Sequence, residues 1–245
     1  MKAADNDCVV LAIKIAEGMM RSGGETYRAE ECCLSILKAC GAIDISVVAF
    51  PTAMLVSAYV EGVHRAESVS IKSRGVDLEG IATYNSISRR ITAGELDVEG
   101  AFEELDRIKS GSPWLSVLYT AVAAGFFSFV FGGGTVDFVP TVLVTAIAQI
   151  FKLYADRLGN FNFLSVMLSC IITAALARGV VALFPVFHQE AIIVGGIISM
   201  VPGLALTNSL RDTISGDLIS GAARMFDALI TAVVIAAGVA MVLAM

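Results

Sequence analysis

Residues 200–224 read MVPGLALTNSLRDTISGDLISGAAR. An apolar run is broken there by Pro202-Gly203, and Thr207, Asn208, Arg211, Asp212, Asp217 and Arg224 follow in quick succession, with Asp227 just beyond. Proline removes a backbone donor and glycine loosens the chain, so a helix entering this stretch is expected to end, kink or restart. Backbone groups freed in this way cannot face lipid. They must be buried in protein or line a watery cavity, which is how transporters build binding sites.

The remainder of the chain supplies the surroundings. Of 245 residues, 56% are hydrophobic and 16% charged, and mean hydropathy is +0.78, which indicates a membrane protein. Residues 1–112 carry 12 of the 17 Lys and Arg and 17 of the 23 Asp and Glu, so five and six remain for the apolar second half. A net charge of −6 with no basic run excludes a nucleic-acid partner. The start, MKAADNDCVV, lacks the pattern of a signal peptide, and the first domain is expected in the cytosol.

In that domain Leu11, Ile15 and Met19 recur at helical spacing up to Ser22-Gly23-Gly24, and a second helix runs from Glu25 to Gly41. The period then changes to two. Ile43, Ile45 and Val47 alternate with polar residues, a second run spans Ala53 to Val60, and a third, Ser68 to Ser73, completes an expected three-stranded sheet. Two more amphipathic helices follow, through Leu78–Ile91 and Val98–Ile108. Cys8, Cys32, Cys33 and Cys40 form no CxxC pair and read as buried small hydrophobes rather than a disulfide framework or metal site.

Five apolar segments follow, near 115–133, 138–155, 161–185, 190–206 and 226–245, each long enough to cross or nearly cross about 30 Å of hydrocarbon. The fold class is therefore an α-helical membrane protein, with five transmembrane helices in residues 113–245 and a small cytosolic α/β domain in residues 1–112. Arg107 and Lys109, then Lys152 and Arg157, then Arg211 and Arg224 mark alternate connections, whereas GGGTVD and PVFHQE carry no Lys or Arg. The positive-inside rule then puts the N-terminus in the cytosol and Met245 outside.

Arg178 falls inside the third span, where it either faces a cavity, suited to the carboxylate of a solute, or snorkels outward. Asn208, Arg211, Asp212 and Ser215 share a face if helical, set directly against Pro202-Gly203; the alternative is a solvated loop. Asp217 and Asp227 are candidate proton-coupling carboxylates if partly buried. Gln149 reads as a hydrogen bond across helices, Lys152 and Asp156 as a helix-surface pair, and Gly125, Gly132, Gly133, Gly134, Gly195 and Gly196 as close packing or irregular backbone. His64 and His188 are lone. The SGGETYRAE turn, with Glu25, Thr26, Tyr27 and Arg28 opening a helix, reads as a capping turn, with anion capture at that helix N-terminus as the alternative. No GxSxG, HExxH or P-loop occurs, so neither an enzyme nor a cofactor or metal is expected.

The motifs SGGETYRAEECCLSILKACG, VVAFPTAMLVS and above all VPGLALTNSLRDTISGDLISGAAR resemble those of the N-terminal-half module of the threonine/serine exporter family, which also supplies one of two subunits of a bacterial succinate exporter. The resemblance covers nearly the whole chain. It implies a cytosolic domain followed by five spans, paired with a separate five-span subunit, in proton-linked secondary export of amino acids or organic acids across the cytoplasmic membrane. A higher oligomer is compatible with it. It points to Pro202, Gly203, Asn208, Arg211, Asp212, Asp217 and Arg224. Thr207 and Arg178 join these as solute-binding candidates, and the solute is a small anionic or zwitterionic metabolite. The rival reading is a non-transporting membrane scaffold or sensor with a ligand- or partner-binding domain.

Overall fold

The computed structural model describes residues 4–71, 75–108, 111–158 and 162–245. These group into two packed units, Met1–Ser110 with Leu204–Phe226 and Gly111–Gly203 with Asp227–Met245. The expected division at residue 112 assigns 204–226 to the membrane portion; by packing, that segment belongs with the N-terminal residues.

The first unit begins with α1 (Ala4–Arg21) and α2 (Thr26–Ala39), an antiparallel hairpin closed by the glycine turn. Val9, Leu11, Ala12, Ile15, Ala16 and Met19 of α1 are buried against Cys33, Ile36 and Leu37 of α2. Strands β1 (Ile43–Phe50), β2 (Ala53–Val60) and β3 (Val63–Ser70) form an antiparallel meander in the order β1-β2-β3. Met54, Val56, Ala58 and Val60 point into the core while Leu55 and Tyr59 remain exposed, the two-residue alternation of a half-covered sheet. The third strand starts five residues earlier than its apolar run suggests, because pairing with β2, not hydrophobicity, fixes it. The expected strand end at Ser73 and the expected basic flank at Lys109 lie outside the described residues. His64 is not lone: it sits on β3 and hydrogen-bonds Ser57 across the ladder at 2.8 Å.

Helices α3 (Leu78–Thr92) and α4 (Val98–Arg107) start at Asp77 and Asp97, whose carboxylates accept from the Gly80 and Gly100 amides at 2.9 Å. Ile87, Ile91 and Ala101 close the core. Cys8 and Cys40 are joined as a disulfide, Cα to Cα 6.6 Å, which corrects the reading of both as buried small hydrophobes outside any disulfide framework. They lie 32 residues apart on facing ends of the hairpin, a spacing that no short cysteine motif reveals. Cys32 and Cys33 are free and buried, as expected of small hydrophobes, and Cys170 is free and buried as well.

The second unit contains α5 (Pro113–Val130), α6 (Phe138–Leu158), α7 (Asn162–Leu183), α8 (Gln189–Ile197) and the later turns of α10 (Leu218–Leu243). Between α8 and α10 the chain makes a 3-10 turn (Ile198–Met200), extends at Val201 and forms α9 (Gly203–Ile214). Among the described residues, four helices are long and apolar enough to cross a membrane, or five if α8 and α9 form one broken span. The break comes where Pro202 predicts it, and α10 begins at Leu218, eight residues before the expected last span. Val144, Ala174, Ala177, Ile192 and Ile193 make one core cluster; Ala148, Val166, Cys170, Met200 and Ile235 make another. Leu118, Phe126, Leu143, Ile147 and Val233 face outward, as side chains solvated by lipid do.

His188 is not lone in this unit either. Its backbone amide and its Nδ1 meet the two oxygens of the fully buried Asp137 carboxylate at 2.7 and 2.8 Å, and the Gly134 amide donates to the same group at 2.7 Å. The Lys152–Asp156 pair (2.7 Å) and the Gln149 bond across to Ser199 (2.7 Å) occur as the sequence indicates.

Candidate functional site

The site is assembled in the first unit on the turn between α1 and α2. Gly23 has φ +89°, and a Cβ placed on it would stand 2.7 Å from the Gly75 carbonyl, so only glycine fits the reversal. The turn exposes the Gly23 and Gly24 carbonyls and the Thr26 amide, groups that a helix start and a loop leave without partners. Side chains from α9 and the first turns of α10 satisfy them. Asn208 Nδ2 donates to the Gly23 carbonyl at 2.8 Å, and Arg224 Nη2 donates to the Gly24 carbonyl at 2.9 Å. The Thr26 amide and hydroxyl donate to Asp212 at 3.2 and 3.3 Å, and the same hydroxyl accepts from Arg224 at 3.1 Å. Arg224 Nε completes the set, 3.0 Å from Asp212 Oδ2.

Asp212 and Arg224 are thus a buried ion pair, 0% and 5% exposed. Arg224 is therefore no loop charge, and it leaves the tally of basic connections. Asp212 turns inward for the same reason: its oxygens already receive several donors, the condition under which a charge tolerates burial.

Beside this pair lies a cavity of about 400 Å3 whose polar lining is Glu25, Arg28, Asn85, Thr207, Asn208 and Arg211. Arg211 Nη1 approaches Glu25 Oε1 at 2.6 Å and Arg28 Nη1 approaches Oε2 at 3.3 Å, so one buried carboxylate holds two half-open guanidinium groups. Burial raises the Glu25 carboxyl, but its own backbone amide, Arg211 and Arg28 together hold it below the ordinary carboxylate value of 4.5. Its contribution to stability is complete above that value and is lost as the pH falls through the depressed one. Melting followed from neutral pH into acid should therefore show a decline below about 4.5 that Glu25→Gln removes. Glu30 behaves oppositely: burial pushes its carboxyl up against a bond from the Ala49 amide (2.6 Å), and Asp217 and Asp212 add to the rise.

Of the residues singled out around the Pro-Gly break and in the spans, Thr207, Asn208, Arg211, Asp212 and Arg224 come together here. Pro202, Gly203, Arg178, Asp217 and Asp227 do not. Pro202 is in the second unit, where with Val201 it borders an apolar cleft of about 770 Å3 between α8 and α10. Gly203 opens α9, and an added Cβ there meets nothing. Arg178 donates to the Val242 carbonyl at 2.9 Å, so it satisfies the last turn of α10 rather than lining a cavity. Asp217 is the N-terminal cap of α10, accepting from the Ser220 amide at 3.1 Å, and Asp227 is half-buried on the same helix. Sequence reading treated Glu25 and Arg28 as parts of a capping turn and did not single out Glu30 or Asn85. A signal existed only for the first two, as charges directly after paired glycines.

The family model described as "Putative threonine/serine exporter" matches residues 10–245. The "Probable threonine/serine exporter" of Mycobacterium tuberculosis is 26% identical over 94% of this chain and 44% of its own length. "Pheromone-regulated membrane protein 10" of Pichia sorbitophila is 26% identical over 92% of this chain and 23% of its own, and the Candida albicans protein of the same name is similar at 26%, 93% and 21%. The chain thus spans less than half the length of these relatives. No solved structure matches. Four or five helices able to cross a membrane among the described residues, and a match over nearly the whole chain, lead to one assignment: this is a multi-pass membrane protein, and it belongs to the threonine/serine exporter family.

Proposed function

We propose that the chain is one module of a secondary exporter that carries small carboxylate-bearing metabolites, threonine/serine-type amino acids or succinate-type dicarboxylates, across the cytoplasmic (inner) membrane. The observation that carries the reading is the cavity in which Arg211 and Arg28 share Glu25. Its volume lies in the range of small-molecule sites. An incoming carboxylate competes with Glu25 for Arg211, by the paired geometry guanidinium favours, and an ammonium group would take the place of Arg211 on Glu25. Thr207, Asn208 and Asn85 supply neutral donors and acceptors on the same wall.

The distribution of Lys and Arg supports a cytosolic first unit and an outward C-terminus, so the cavity meets solute on the side from which export begins. The mycobacterial relative, named a probable exporter, is more than twice as long as the matched stretch, which leaves room for a second module; the partner proposed here is a separate five-span subunit. Asp217 and Asp227, with Glu30 beside the former, are the carboxylates available for proton coupling.

The test is flux of labelled threonine, serine and succinate in proteoliposomes made with this chain and the membrane protein that co-purifies with it. Arg211→Gln removes a charge-assisted bond to the solute and is expected to lower flux at least about tenfold. Because the Arg211 side chain is 58% exposed, folding should change little. Undiminished flux in both Arg211→Gln and Arg28→Gln would take the cavity out of the mechanism. Solute binding without flux in the wild type would favour a sensor.

A further inference from the structure

The apolar cleft of the second unit shares no lining residue with the cavity around Glu25. Its walls follow from the sequence. Helix α10 presents Ala232, Ala236 and Ala240 to it at four-residue spacing, one above another on a single face. Ile193, Val194 and Ile197 of α8 form the opposite wall. Three alanines in a row leave out the side-chain volume with which packed helices ordinarily fill the space between them, and a cleft of about 770 Å3 remains.

The walls run antiparallel, since Ile192 and Ile193 cluster with Val242 while Met200 clusters with Ile235. Gln189 and Glu190 therefore share one end of the cleft with Leu243. At the other end Val201 and Pro202, where the helical turns give way to extended chain, stand with Ala232. From Ala232 to Leu243 the helix rises about 16 Å. That is one leaflet's share of a hydrocarbon core about 30 Å thick, and half the length a crossing helix occupies. Between its ends the cleft offers water no polar partners, and left empty it would forfeit packing contacts along both walls. Its polar groups stand at the Leu243 end, where the Glu190 carboxylate is exposed. The Arg178 guanidinium turns to the Val242 carbonyl and lines no part of the cleft, so the cleft's charge is that of Glu190 alone.

We propose that this cleft binds a phospholipid of the ethanolamine class, drawn from the leaflet on the side of the C-terminus. One acyl chain lies along Ala232, Ala236 and Ala240 and ends at Pro202, and the headgroup ammonium donates to Glu190 with Gln189 beside it. An ethanolamine ammonium brings N–H donors to a carboxylate and a choline headgroup brings none. A phosphatidylglycerol is net negative, and Glu190 repels it. A helix of another protein fits the cleft less well, because the groove stops halfway across the membrane.

The experiment uses the whole chain in nanodiscs of phosphatidylethanolamine and phosphatidylglycerol, with a trace of phosphatidylethanolamine that carries a diazirine near the end of one acyl chain. Photolabel is expected on peptides covering residues 193–201 and 232–243, in excess over the lipid-facing surface around Leu118 and Leu143. Glu190→Gln should cut cleft labelling about tenfold, the weight of one charge-assisted hydrogen bond, and leave labelling by the corresponding phosphatidylcholine probe unchanged. Ala236→Phe fills the cleft and should abolish both, whereas Val233→Phe, on the exposed side of the same helix, should not. Because Glu190 is exposed, Glu190→Gln reads the site even where Ala236→Phe does not fold. Labelling undiminished by Glu190→Gln overturns the headgroup class. Label spread evenly over the lipid-facing helices, or undiminished in folded Ala236→Phe, overturns the site. So does a cleft that takes no label while Ala236→Cys cross-links to the membrane protein that co-purifies with the chain, since the occupant is then a partner's helix. None of these outcomes depends on the solute carried, so lipid binding and the transport reading stand or fall separately.

Discussion

Replacing Arg224 by methionine is expected to destabilise the protein by about 3–5 kcal/mol, the usual consequence of leaving a buried carboxylate without its partner. Asp212 is fully buried and would keep only the Thr26 amide and hydroxyl, while the Gly24 carbonyl would lose its donor. Asp212→Asn should cost less, because a neutral amide is cheaper to bury than a lone charge and still accepts from Thr26. The pair replacement Asp212→Leu with Arg224→Met should recover part of the loss, since removing both charges removes the desolvation penalty of each. Thermal unfolding in detergent, followed by the fluorescence of the single tryptophan, Trp114, orders the four proteins. If Arg224→Met melts with the wild type, the pair is not buried as described.

Gly195→Val carries the second large effect, about 3 kcal/mol, through overpacking. A Cβ at Gly195 would stand 2.9 Å from the Ala124 carbonyl and 3.2 Å from the Ser128 amide. Those are backbone atoms of α5, so no side chain can swing aside, and the helix itself must retreat. Gly179 is the control, since an added Cβ there meets nothing within 4 Å. Alanine at 179 should be neutral or slightly stabilising, by the ordinary preference of a helix interior for alanine over glycine. Equal melting of Gly195→Val and wild type would mean that α5 and α8 do not approach this closely.

The elements were legible where local periodicity decides them. Alternation gave β1 and β2, helical spacing gave α1 to α4, and length with hydropathy gave the long apolar helices; Pro202 marked the break before α9. What stayed hidden depends on residues far apart. Arg224 reads as a loop charge because it falls in the expected connection between the spans at 190–206 and 226–245, yet its partners on the turn lie 198 and 200 residues away. Asp137 and His188 are 51 residues apart, and each alone resembles an ordinary connection residue. The grouping of 204–226 with the N-terminal residues has the same cause: buried polar groups choose partners by complementarity, and hydropathy does not register that choice.

Because that grouping interleaves distant parts of the polypeptide, residues 1–110 are not an excisable piece. Cutting there would strip away Asn208, Asp212 and Arg224 and bare the Gly23 and Gly24 carbonyls and the Thr26 amide, all of which they cover. A soluble fragment meant for crystallisation needs 204–226 spliced back through a linker; otherwise the recombinant product carries an open seat where its own missing segment belongs.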